Sequence, residues 1–107
     1  MNKYRNVKTE VDGILFDSKK EAARYKELKQ KEAAGEIKNL RRQVRYPLMP
    51  KMKIEGIKVR ATYYIADFVY EEDGKEVVED VKGYRTREYR NKKRQIKERH
   101  GIEIKEI

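Results

Sequence analysis

The segment from Val59 to Val81 constrains this chain more than any other. Val59 to Tyr70 is dominated by β-branched and aromatic residues, meets Asp73-Gly74, and gives way to a second β-rich run, Val77 to Val81. An Asp-Gly pair between two such runs predicts a type I′ hairpin turn, whose central residues need the positive φ that glycine adopts freely. A two-residue loop fixes the register. Glu72 faces Lys75, and counting back along both strands sets Asp67 opposite Asp80. Alternation of side chains then places Asp67 on a face with Ile65 and Val69, and Asp80 on a face with Val78 and Lys82. Three ionisable groups converge: Asp67, Asp80 and, about 7 Å farther along the strand, Lys82.

The remaining pattern surrounds this hairpin with two helices and more strands. Val7 to Val11 and Ile14 to Phe16 flank Asp12-Gly13, a second hairpin turn. Ser18 and Glu21 form the S-x-x-E capping box, which predicts a helix from Lys19 to about Ala34, stopped by Gly35. Ile37 to Val44 reads as extended, followed by a Pro-punctuated stretch (Pro47 to Pro50) and a turn at Gly56. Thr86 to His100 is helical in composition, ends at Gly101, and leads to a closing strand from Ile102 to Ile107. The expected order is β-β-α-β-β-β-α-β. This is an α/β (α+β) domain with a mixed sheet and two flanking helices, and its 107 residues make one domain, 1–107.

Composition narrows the function. With no cysteine there is no disulfide scaffold, thiolate zinc site or cysteine nucleophile, and the single histidine, His100, excludes polyhistidine metal sites. We read His100 as a C-terminal helix residue facing the dipole, without a catalytic role. No apolar run approaches the ~20 residues of a membrane span. The 28 Lys+Arg against 19 Asp+Glu leave a net charge of +9, which points to a polyanionic partner, most simply nucleic acid.

Directly opposed carboxylates repel each other across a ladder, and the pairing becomes favourable when a divalent cation sits between them. Two hard oxygen ligands suit Mg²⁺ or Mn²⁺ and leave positions for water and a phosphate. Lys82 beside such a site would hold a phosphate oxygen or position the attacking water. The plain alternative is an exposed hairpin with acids on its solvent face, and a register shift of one would separate the pair. Glu21 has two compatible readings: the N3 residue of a capping box, or an acid on the Glu21, Tyr25, Leu28 face aimed at the hairpin. After Lys82 the bases Arg85, Arg87, Arg90, Lys92, Lys93, Arg94, Lys97 and Arg99 crowd the second helix. Such a helix either tracks a phosphate backbone or presents a solvated charged face. Lys93 shares a face with Tyr89, Ile96 and His100 and is expected to point inward, toward the acids. Arg41, Arg42 and Arg45 read as solvated surface charges. Tyr63, Tyr64 and Tyr70 read as core and sheet surface, with hydroxyls at the rim.

The order Asp67, short hairpin, Asp80-Val81-Lys82 resembles the D…(D/E)-x-K signature of the PD-(D/E)XK nuclease superfamily. The fuller string, Tyr64-Ile65-Ala66-Asp67-Phe68 and Glu79-Asp80-Val81-Lys82-Gly83 after Ser18-Lys19-Lys20-Glu21-Ala22, is similar to small phage proteins of that superfamily. Ala66 stands where proline is common, and Asp80 where glutamate is commoner. The resemblance implies a restriction-endonuclease-like mixed sheet and a Mg- or Mn-dependent endodeoxyribonuclease. It implies a metal site of Glu21, Asp67, Asp80 and the Val81 carbonyl, with Lys82 as the fourth catalytic residue. It further implies action on duplex or branched DNA, bound by Arg85, Arg87, Arg90, Lys93, Arg94 and Lys97. Phage recombination or replication in the cytoplasm of a bacterial host, and a homodimer, complete that expectation. The alternative is a basic nucleic-acid-binding module without catalysis.

Overall fold

The computed structural model describes residues 7–81 and 86–107. Lys82 and Arg85 lie outside the described residues. Ten elements follow in chain order: β1 (Thr9–Val11), β2 (Ile14–Phe16), α1 (Lys19–Ala33), β3 (Lys38–Met49), β4 (Met52–Ile54), β5 (Ile57–Val59), β6 (Thr62–Glu72), β7 (Lys75–Asp80), α2 (Arg87–His100) and β8 (Ile104–Glu106). The fold is α+β, with a four-stranded mixed sheet in the order β3-β6-β7-β8 and two helices. β3, β6 and β7 are antiparallel neighbours, and β8 joins β7 in parallel after the α2 crossover. Among the described residues no helix is long and apolar enough to cross a membrane.

Local chemistry sets most boundaries. Ser18 caps α1, its Oγ accepting from the Glu21 N–H at 3.1 Å. Gly35, at φ 78°, closes the same helix. Its N–H reaches Glu32 O while the Glu36 N–H reaches Lys31 O, the paired bonds of a Schellman motif. Thr86 caps α2 by accepting from the Tyr89 N–H, and Gly101 ends it at φ 68°. Asp12-Gly13, Glu55-Gly56 and Asp73-Gly74 all carry positive φ at both positions, as type I′ turns require.

Two regions differ from the sequence reading. Val59 to Tyr70 is not one strand: Ile57–Val59 pairs with Met52–Ile54 as a separate ribbon, and β6 begins at Thr62. β3 runs through Pro47 to Met49. It is an outer strand of the sheet, where a missing N–H costs no ladder bond.

One core lies on each face of the sheet. Toward α2 pack Leu48, Tyr64, Ala66, Val69, Val78, Tyr89, Ile96 and Ile104. Toward α1 and the β1–β2 hairpin pack Phe16, Ala22, Tyr25, Leu28, Ile37, Phe68 and Tyr70. Strict alternation fails between these sets. Ala66 and Val69 face α2 while Phe68 faces α1, so β6 reverses its faces around Asp67. β3 reverses at the matching place. Val44 and Tyr46 pack toward α2, Leu40 packs toward α1, and Gln43 between them has φ 51°. The ladder pairs Val44 with Ala66 and Arg42 with Phe68 and leaves out Gln43 and Asp67 between them.

Candidate functional site

Five consecutive pairs from Glu72↔Lys75 to Phe68↔Glu79 follow the expected register, and Asp67 and Asp80 are the next residues along it. Asp80 closes β7 and is fully buried. Its backbone is pinned by the Ile107 N–H donating to Asp80 O at 3.0 Å, and its side chain by the Tyr64 hydroxyl donating to Oδ2 at 2.6 Å. Asp67 is half-buried at the reversal in β6. Its Oδ2 accepts from the Val81 N–H at 2.8 Å, across the end of β7, and Oδ1 accepts from Gln43 Nε2 at 3.5 Å. The break in alternation is what frees the Asp67 carboxylate for this reach.

Glu21 completes the group. Ser18 caps the turn that seats it, its Oγ accepting from the Glu21 N–H, and the charge of Glu21 lies near enough to act on the Asp67 carboxyl. Only 7 % of Glu21 is exposed, as are 7 % of Tyr25 and none of Leu28 on the same helical face.

Burial pushes the Asp67 carboxyl above the usual aspartate range, and the nearby charge of Glu21 adds to the rise. Hydrogen bonding with Asp80 and the bond from the Val81 amide oppose it. Burial, then the bond to Asp80, also raises the Tyr64 phenol, which stays a neutral donor. Carboxyls within hydrogen-bonding reach of each other share a proton unless a cation takes its place. The donor set is all oxygen and hard, which fits Mg²⁺ or Mn²⁺ and disfavours soft metals. Among the described residues, no group of three or more His, Cys, Asp or Glu is arranged to hold a metal ion as it stands.

Other expectations meet a different outcome. Ile65 is 48 % exposed and belongs to neither core, whereas Val69 and Val78 are buried in the core toward α2. Lys93 does point toward the sheet, but to Glu106 Oε1 at 3.1 Å rather than to the acid pair. Glu106 also accepts from the Tyr89 hydroxyl at 2.8 Å and is the register partner of Asp80 across β7–β8. Arg87, Arg90, Arg94 and Lys97 recur at three- and four-residue spacing on the exposed side of α2, opposite buried Tyr89 and Ile96. Lys97 there bonds Glu103 at 2.6 Å and Arg94 bonds Asn91 at 3.2 Å. Arg42 is not a plain solvated charge, since it lies 4.5 Å above the Phe16 ring. Arg45 lies 4.3 Å above exposed Tyr63. His100 is exposed and contacts Pro47 O at 2.7 Å, remote from the acids in its bonding.

Sequence reasoning missed Gln43 and the hydroxyl bond of Tyr64. A polar residue inside a β-rich run opposite Asp67 was the available signal for the first. It also missed a buried ion pair behind the site. Glu79, fully buried, takes both arms of Arg24 at 2.9 and 2.7 Å and a short bond from the Tyr70 hydroxyl.

The model of the DUF1064 family, described as a protein of unknown function, matches residues 1–106. No curated protein and no solved structure matches the chain.

Proposed function

The chain belongs to the DUF1064 family, and we propose that it is a metal-dependent deoxyribonuclease built on Glu21, Asp67 and Asp80. The observation that carries this reading is the place of Asp80: a fully buried acid that, like Asp67, lies one step beyond the last ladder pair of β6 and β7, while the charge of Glu21 acts on Asp67. Gathering like charges in a buried place is unfavourable, and the arrangement is best explained by a cationic ligand. Glu21, Asp67, Asp80 and the Val81 carbonyl would hold Mg²⁺ or Mn²⁺. The ion, when bound, supplies charge stabilisation and an activated water for phosphodiester hydrolysis.

The chain's own residues do the rest. Tyr64 fixes the Asp80 carboxylate, and Gln43 with the Val81 amide fixes that of Asp67. Lys82, by its place in sequence, would orient the water or hold a phosphate oxygen. DNA is the proposed polyanion, approached by the exposed bases of α2, with junction or branched substrates and a dimeric enzyme as the finer part of the proposal. The exposed stripe of Arg87, Arg90, Arg94 and Lys97 equally favours a second reading, a binding module without catalysis.

Incubation of supercoiled and branched DNA with the protein in Mg²⁺, Mn²⁺ or EDTA tests the two. Nicking that needs metal and disappears in Asp80→Ala and Lys82→Ala supports the enzyme. Binding in every condition without a cut supports the module.

A further inference from the structure

The β4–β5 ribbon takes no part in the acid site, and its construction is two-faced. Met52 pairs with Val59 and Ile54 with Ile57, while Lys53 pairs directly with Lys58 between them. Pleating therefore puts the lysines on one face and the four apolar residues on the other. From Lys51 to Arg60 the sequence holds four bases (Lys51, Lys53, Lys58, Arg60) and one acid, Glu55. All four bases are exposed. Opposed lysines destabilise a two-stranded ribbon, itself marginal in isolation, by like-charge repulsion. Among the described residues neither Lys53 nor Lys58 is paired with an acid. An external polyanion would relieve this repulsion.

We propose that the β4–β5 ribbon is a DNA-binding arm whose Lys53–Lys58 face lies against the phosphate backbone. The inference rests on DNA being the partner but not on catalysis. A two-stranded ribbon has the dimensions to enter a major groove about 12 Å wide. Its rigid type I′ turn at Glu55-Gly56 holds both lysines on one side. This arm is separate in sequence and in fold from the basic stripe of α2. The occupant is chosen by charge: the apolar face, with Ile54 52 % and Ile57 68 % exposed, is the surface a second copy of the chain would take instead.

The test measures binding of the full chain to a labelled duplex by fluorescence anisotropy, in EDTA, over a range of KCl. The arm variant is Lys53→Gln/Lys58→Gln. The control, Lys26→Gln/Lys105→Gln, removes the same charge from exposed positions elsewhere. Each phosphate contact contributes a salt slope of about 0.9, so losing two makes the slope shallower by about 2 in the arm variant. The control slope changes by much less. Equal slopes and affinities in the two variants overturn the arm, as does a wild-type chain that binds no duplex. Arm-dependent binding by a protein that never nicks DNA keeps this inference and discards the nuclease. If Ile54→Gln/Ile57→Gln halves the mass in sedimentation while the lysine variant binds like the control, the ribbon is a self-association surface and the proposal is wrong.

Discussion

Glu79 and Asp80 are consecutive in β7, both without solvent exposure, and they face opposite sides of the same sheet. Their surroundings differ in kind. Glu79 sits against Arg24, whose guanidinium is held charged first by its hydrogen bond to Glu79, and against the Tyr70 hydroxyl. Asp80 meets the Tyr64 hydroxyl, and both it and Asp67 lie one step past the last pair of the β6–β7 ladder. A buried carboxylate with its own guanidinium is complete within the chain and ties α1 to β7. Asp80 takes a neutral hydroxyl where Glu79 takes a guanidinium, so its stability should respond more to a bound cation. Under the proposed function, the adjacent positions separate a structural acid from a ligand-binding one.

The contrast breaks or sharpens under substitution. Glu79→Ala leaves Arg24, with a side chain only 11 % exposed, with the more exposed Glu27 as its remaining carboxylate. Losing one partner of such a pair costs about 3–5 kcal/mol, read as a lower urea midpoint. Asp80→Asn should do the reverse: stability is unchanged or higher, because a like charge is gone, while metal-dependent nicking falls by ~100-fold or more, the several kcal/mol that ion stabilisation supplies. If both variants lose stability alike, the two acids are not different in kind.

Ser18→Ala removes the cap that seats Glu21 and should cost about 1 kcal/mol in thermal or denaturant unfolding. Nicking then declines less than in Asp80→Asn, since the carboxylates remain.

The pH effect of Asp67 is smaller and has a definite sign. Its carboxyl is raised in the folded chain, so its protonation favours folding. That contribution is complete below the ordinary aspartate range and is lost as pH rises from there through the raised value. Asp67→Asn should therefore match wild type in strong acid, exceed it progressively in stability through that window and keep a constant margin above it, as followed by unfolding at stepped pH. Added Mn²⁺ should narrow the difference by stabilising wild type alone.

The hairpin geometry was legible because one dipeptide controlled it: Asp73-Gly74 set a two-residue loop and the loop set the register through to Phe68↔Glu79. Ser18, Gly35 and Gly101 marked helix ends by capping chemistry that acts within a few residues, whereas the Thr86 cap emerged only from the structure. The reversal of faces at Asp67 and Gln43 was not legible, since alternation assumes an unbroken pleat and nothing local forbids one there. The same assumption merged Ile57–Val59 with β6, although the two segments pair with different strands. The Arg24–Glu79 pair joins residues 55 apart, a distance at which spacing carries no signal.

The central claim is that Asp67 and Asp80, with Glu21, form a cation site. Calorimetric titration of Mn²⁺ into the full chain with a short DNA duplex, repeated in buffers of different ionisation enthalpy, tests it most directly. The account predicts saturable binding with proton release, abolished in Asp80→Asn and retained in Lys53→Gln/Lys58→Gln. Absence of binding heat in the wild-type chain, or equal binding by Asp80→Asn, would contradict it.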